Sequence, residues 1–252
     1  MRQFHKVYGW AATQEEAAAG CTRAGLQISA AVQALAMLTL ARWPDGTIEI
    51  MLITLPPAAL ILASTSRYRR DLLTRLRCPF SVLSPYVDEA PLPGEAPAAL
   101  ANRLALAKAQ AVAALHPQAV VIGSDQVADL AGQAIGKPGN HARATEQLRA
   151  MRGQRVLFHT AVAVVHGNAG FARCELATVA VQFRALSDLE IETYLRLEEP
   201  YDCAGSAKCE TLGITLLSAI DSDDPTALIG LPLIRTSTLL REAGYNPLLL
   251  AT

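Results

Sequence analysis

Carboxylates and lysines recur in this chain at the edges of apolar runs, where they could hold a cation and bind phosphates. Asp125 closes the run Ala119-Val120-Val121-Ile122-Gly123-Ser124, and an aspartate is seldom fully buried unless it is paired or bound to metal. Val87-Asp88-Glu89 supplies two further acids within a proline- and glycine-rich stretch. Lys137 sits in Ile135-Gly136-Lys137-Pro138-Gly139, where glycine and proline fix the backbone and project the side chain. Lys208 follows the small-residue loop Cys203-Ala204-Gly205-Ser206-Ala207, and Lys108 interrupts an otherwise apolar helix pattern. Ser64-Thr65-Ser66 ends another apolar run and leads into a helix carrying Arg69, so hydroxyls, backbone N–H groups and a guanidinium would converge on an anion. Singly, these are ordinary turn acids, surface lysines and a serine cap. Together they combine hard oxygen ligands for a cation with positive charge for phosphates. The five histidines lack metal spacing, and no G-x-S-x-G, Walker A or G-x-G-x-x-G sequence occurs.

The elements that must position these residues alternate from Met51 onward, which argues for an α/β fold. Residues 59–63 form a buried strand, and a basic helix follows through Arg69, Arg70, Leu72, Leu73 and Leu76. Residues 80–83 are a second strand and 84–97 a long loop. Pro97 opens a helix to about Leu115 with Leu100, Leu104, Ala107 and Ala111 on one face. Residues 119–123 are a strand ending at Ser124-Asp125-Gln126, where ligands of open α/β sheets bind. Asn140 caps a helix to Arg152, and residues 156–166 and 171–183 flank Gly167-Asn168 as a hairpin. Ser187-Asp188-Leu189-Glu190 is a capping box, residues 214–217 a short strand, and Pro232 opens a last helix ending at Gly244.

Composition excludes several classes. Apolar residues make up 51% of 252, enough for a core, while 22 Lys and Arg against 23 acids rule out coating nucleic acid by bulk charge. Five scattered cysteines without C-x-x-C read as reduced thiols of a cytoplasmic protein. Residues 24–41 carry no charge, but Gln27, Ser29, Gln33 and Thr39 interrupt them and Glu15 and Glu16 precede them, so neither a membrane span nor a signal peptide is expected. Two readings of the first fifty residues stay open. Residues 12–41 are one alanine-rich helix packed loosely, or residues 1–50 are a non-native extension, with Met51 the functional start and Pro56-Pro57 a lead-in to the first strand. Residues 51–252 are then the working domain.

The short motifs fall in a recognisable order. Leu60-Ile61-Leu62-Ala63-Ser64-Thr65-Ser66 with Arg69-Arg70, then Val87-Asp88-Glu89, Ala107-Lys108-Ala109, Ile122-Gly123-Ser124-Asp125-Gln126, Gly136-Lys137-Pro138 and Cys203-Ala204-Gly205-Ser206 resemble the Maf/YceF family of nucleoside triphosphate pyrophosphatases over residues 58–248. The resemblance implies a Maf-like, inosine triphosphate pyrophosphatase-like α/β fold: an elongated mixed sheet flanked by helices, with a cleft between two lobes. It implies cleavage between the α- and β-phosphates, with Ser64, Arg69, Lys108, Lys137 and Lys208 around the phosphates. Glu89 and Asp125 would hold Mg²⁺ or Mn²⁺, and Asp125 is also the implied base for the attacking water; which role it fills stays open. A triphosphate brings about four negative charges, so positioning and electrostatics carry the chemistry.

Three positions that line the base in this family hold Tyr68, Gln126 and Glu210 here. The resemblance to the branch acting on 7-methyl-GTP rests on them: an aromatic ring stacks on the cationic base, by about 0.5–2 kcal/mol, and a carboxylate accepts from guanine N1–H and its amino group. Tyr68 replaces the tryptophan usual in that branch, and Lys208-Cys209-Glu210-Thr211-Leu212-Gly213 departs from Lys-Ser-Glu-Gly-Phe-Gly. The alternatives are a dTTP or UTP pyrophosphatase and a nucleotide-binding regulator of cell division. The expected partner is a small nucleoside triphosphate, not nucleic acid or membrane, and a homodimer is left open.

Overall fold

A computed structural model describes residues 36–42, 48–54 and 58–250. Contacts divide the chain into two units, residues 1–57 and 58–252. In the first, β1 (Ala36–Arg42) pairs antiparallel with β2 (Ile48–Thr54), Thr39 facing Met51. Residues 36–42 therefore extend instead of closing the expected helix, since their apolar run finds a β-branched partner strand. Met51 lies inside β2. The rest of that helix, residues 12–35, and Pro56-Pro57 lie outside the described residues.

In the second unit β3 (Leu60–Ala63) runs parallel to both β4 (Ser81–Leu83) and the start of β5 (Val120–Leu130). Antiparallel pairing then carries the sheet through β7 (Arg155–His166), β8 (Phe171–Phe183) and β9 (Leu217–Asp221), and β6 (Gln133–Ile135) folds back on β5. Among the described residues this is a seven-stranded mixed sheet, as the α/β reading requires.

Side chains alternate across the sheet, so each strand feeds two cores. Ile61, Ala63, Val121, Val127, Ala161, Ala163 and Val165 pack against α2 (Pro97–Ala113). Leu60, Leu62, Val120, Ile122, Val162 and Val164 face the opposite layer, built from α1 (Arg67–Leu73) and α5 (Leu233–Glu242). With both faces covered, these strands read as continuous apolar runs. A third core gathers the far ends of β5, β7 and β8 beneath α3 (His141–Met151) and α4 (Asp188–Glu198). The caps follow the sequence: Asn140 accepts from the Arg143 N–H at 3.0 Å, and Ser187 and Glu190 form the reciprocal box.

Three expectations change. Strand β5 does not stop at Ser124-Asp125-Gln126. Its parallel pairing to β3 ends at Gly123, but its pairing to β7 continues to Asp129 opposite Leu157. The buried face of α2 carries Leu100, Leu104, Ala105, Lys108, Ala109 and Val112, while Ala107 and Ala111 are only half-buried. Residues 212–216 form a 3₁₀ turn, so the last strand begins at Leu217, where pairing with Phe183 becomes available.

Gly123 sets how closely α2 approaches the sheet. A Cβ there would collide with the Ala105 carbonyl oxygen and stand 2.6 Å from the Ala109 nitrogen, both backbone atoms. Gly123→Ala should therefore push α2 outward and lower the free energy of unfolding, seen as a lower urea midpoint, by the roughly 1–3 kcal/mol typical of an overpacked core. Because Lys108 rides on the same turns, activity should fall with stability; an unchanged midpoint would show that the helix yields freely.

Candidate active site

The close seating of α2 on Gly123 places charge on charge one step along the strand. Asp125 shares the α2-facing side of β5 with Gly123, and Lys108 lies one helical turn beyond Ala105. Lys108, a residue only 4% exposed, donates through its ammonium to Asp125 Oδ1 at 2.7 Å and pairs with Glu89 Oε1 at 2.9 Å. One buried ammonium thus gathers two carboxylates from a strand and a loop. Burial pushes the Glu89 carboxyl up, but Lys108, with Lys137 and Arg69 behind it, outweighs this and holds it below the ordinary range.

The loop bearing Glu89 is pinned to α2. Arg103 grips Glu95 through Nε at 2.6 Å and Nη2 at 2.8 Å, and Nη2 also donates to the Ala90 carbonyl at 3.0 Å. A bidentate guanidinium–carboxylate pair fixes orientation as well as distance, so the long loop has a set register beside the cleft.

On the other face of β5, Ser124 Oγ donates to the carbonyls of Ala161 and Gly230, at 2.8 and 3.1 Å. Gln126 directs its amide hydrogens at Thr160 Oγ1 and the carbonyls of Ala227 and Leu228, each at 3.0 Å. Polar residues can thus sit inside a strand because each face supplies partners. Arg69 Nε donates to the same Gly230 carbonyl at 2.9 Å; burial lowers its guanidinium from the ordinary value, opposed by Asp125 and Glu89. Ser64 is buried and its Oγ accepts from the Ser66 N–H at 3.1 Å, while Ser66 itself caps α1.

These groups surround a cleft of about 750 Å³. Ser64, Tyr68, Arg69, Glu89, Lys108, Asp125, Gln126, Lys137 and Glu210 all line it. Lys208 is the expected residue that does not: its Nζ donates to Glu198 Oε2 at 2.8 Å, and its backbone N–H donates to the Tyr194 hydroxyl. That hydroxyl in turn donates to the carbonyl of Ser206, a fully buried residue in the left-handed region with φ of 55°. The loop after α4 is therefore held rigidly against that helix. It also brings in Tyr201 and Asp202, which the sequence reading passed over, beside Cys203, and residues 228–230 complete the wall. The only signal for Asp202 was its place two residues before Ala204-Gly205-Ser206.

A hard divalent cation fits this donor set. Glu89 and Asp125 already converge on one positive centre, Lys108 Nζ. Among the described residues no group of three or more His, Cys, Asp or Glu gathers as a closed metal cage. Mg²⁺ suits such a site, since it commonly takes one or two carboxylates and fills its octahedron with phosphate oxygens and water.

The chain matches the model for a Maf-like protein over residues 59–243. It is 65% identical over 189 residues to the 7-methyl-GTP pyrophosphatase of Albidiferax ferrireducens, covering 75% of this chain and 95% of the relative. It is 66% identical over 185 residues to the protein so named in Polaromonas sp., covering 73% and 84%. The 7-methyl-GTP pyrophosphatase of Bordetella pertussis is 59% identical over 194 residues, covering 76% and 96%. No helix among the described residues is long and apolar enough to cross a membrane.

Proposed function

The chain belongs to the Maf-like family, and from that premise we propose that it hydrolyses 7-methyl-GTP to 7-methyl-GMP and pyrophosphate. The observation that carries the reading is the meeting of Glu89, Lys108 and Asp125 on the wall of a cleft that also holds Arg69, Lys137, Tyr68 and Glu210.

Water attacks the α-phosphorus, the bond to the α,β-bridging oxygen breaks, and pyrophosphate leaves. Asp125 takes the proton of the attacking water; Lys108 occupies its Oδ1, so Oδ2 is the oxygen that receives it. Lys108, Lys137 and Arg69 stabilise the charge that gathers on the phosphate oxygens, as donors already fixed in place before that charge develops. Ser64 holds the turn that leads into Arg69. Lys208 joins the phosphates only if it exchanges Glu198 for them. A bound Mg²⁺ or Mn²⁺, held by Glu89 and Asp125, would supply further neutralisation of the triphosphate. The base lies toward Tyr68, whose ring faces a delocalised cation, and Glu210, which accepts from guanine N1–H and the amino group. Gln126, whose amide N–H groups serve the 227–228 carbonyls, keeps its oxygen for a donor on the base. This reading puts the protein in the cytoplasm, supported by Cys78, Cys174, Cys203 and Cys209 as free thiols.

The test is pyrophosphate release with Mg²⁺ or Mn²⁺ from 7-methyl-GTP, GTP, dTTP, UTP and CTP. The highest kcat/KM is expected for 7-methyl-GTP. Preference for dTTP or UTP would keep the reaction and overturn the base assignment. Binding without turnover of any nucleotide would make the protein a regulator.

A further inference from the structure

At the base end of the cleft the chain already holds a planar, delocalised cation of its own. The Arg67 guanidinium carbon lies 4.8 Å from the centroid of the Tyr68 ring. Its Nη2 donates to the Tyr68 hydroxyl at 2.7 Å and stands 3.9 Å from Asp202 Oδ2. The Tyr68 hydroxyl donates to Asp202 Oδ1 at 3.3 Å. All three residues line the cleft, and the Arg67 and Asp202 side chains are 61% and 56% exposed, so the pair can part without disturbing the core. An aromatic face with a carboxylate beside it is the combination that binds cationic rings.

We propose that Asp202 is a specificity-determining residue that selects a positively charged base over its neutral counterpart, and that Arg67 occupies this position until the nucleotide displaces it. The inference rests on the 7-methyl-GTP reading and names a residue that the base-lining positions 68, 126 and 210 do not include. Any purine that stacks on Tyr68 must move Arg67 aside. Only a base carrying its own charge then restores a positive partner to Asp202. A neutral guanine leaves that carboxylate with water alone. Discrimination by charge also supplements Tyr68, whose ring is smaller than an indole.

The experiment compares kcat/KM for 7-methyl-GTP and GTP in the wild-type protein, Asp202→Asn, Asp202→Glu and Arg67→Met, with melting curves to verify folding. Asp202→Asn should lower the 7-methyl-GTP to GTP ratio roughly three- to fivefold, the upper part of the range for a partly exposed charge contact, and Asp202→Glu should keep most of it. Arg67→Met should raise kcat/KM for both nucleotides, since neither then has a guanidinium held by Tyr68 and Asp202 to displace. A ratio within twofold of wild type in folded Asp202→Asn overturns the proposal, as does a fall for both nucleotides in Arg67→Met. If the wild-type protein itself shows no preference for 7-methyl-GTP, the substrate reading fails first and this inference with it.

Discussion

Asp125→Asn should abolish nearly all pyrophosphate release, lowering kcat by about 10²–10⁴-fold, the usual contribution of a positioned general base. The substitution is close to isosteric. The amide oxygen can still accept from Lys108 Nζ, which meets Asp125 Oδ1 at 2.7 Å, so the α2–β5 contact is retained. What disappears is the negative charge and the ability to take a proton. Because Lys108 then carries less compensated charge, KM for the nucleotide should hold or fall while kcat collapses, the signature of a group used in the transition state. Glu89→Gln makes the contrast. Glu89 reaches Lys108 from a loop and its side chain is 55% exposed, so its loss should act mainly on the Mg²⁺ concentration needed for half-maximal rate. Steady-state kinetics across a metal titration separates the two. A loss of only a few-fold in Asp125→Asn would move the proton transfer to another group.

How far this site was legible depended on whether a residue announces itself locally. The Ser187 box, the Asn140 cap and the Pro97 helix start are local hydrogen-bond patterns, and they fall where the sequence puts them. Asp125 was visible because a charge at the end of five apolar residues is costly without a partner. Its place in the middle of β5 was not visible, because the run of Ser124, Asp125 and Gln126 looks like a strand end. Only the pairing with β7 and the carbonyls at 227, 228 and 230 make it a strand interior. That Lys108 lies on the buried face of its helix was hidden for a related reason. Periodicity weighs lysine as polar and so rotates the apolar face toward Ala107 and Ala111, whereas the buried stripe runs through Lys108 itself. Asp202 lies 134 residues from the Tyr68 hydroxyl it accepts from, and no local pattern reports such a meeting. Lys208 shows the converse limit: the motif singles it out, yet Glu198, one helix end away, holds its ammonium.

The Lys108 pair also makes a prediction in which stability and activity part company. Lys108 and Asp125 are 6% and 10% exposed at their side chains, and removing one partner of a buried pair leaves the other charge uncompensated. Lys108→Met keeps the aliphatic length against the α2 core but strips the positive charge from both Asp125 and Glu89. The expected loss is roughly 3 kcal/mol by urea denaturation, the lower end for a broken buried pair because the cleft admits water. Adding Asp125→Asn to that variant removes the orphaned charge, so the double variant should recover much of the lost stability, giving a coupling energy of about 1–3 kcal/mol. Activity should not recover, since base and phosphate-binding ammonium are both gone. The two carboxylates repel one another once Lys108 is removed, so divalent cation should stabilise Lys108→Met more than it stabilises the wild type. Melting curves with and without Mg²⁺ read this directly. If the double variant is as unstable as Lys108→Met alone, the loss comes from packing at position 108, and the ion pair is not what joins α2 to β5.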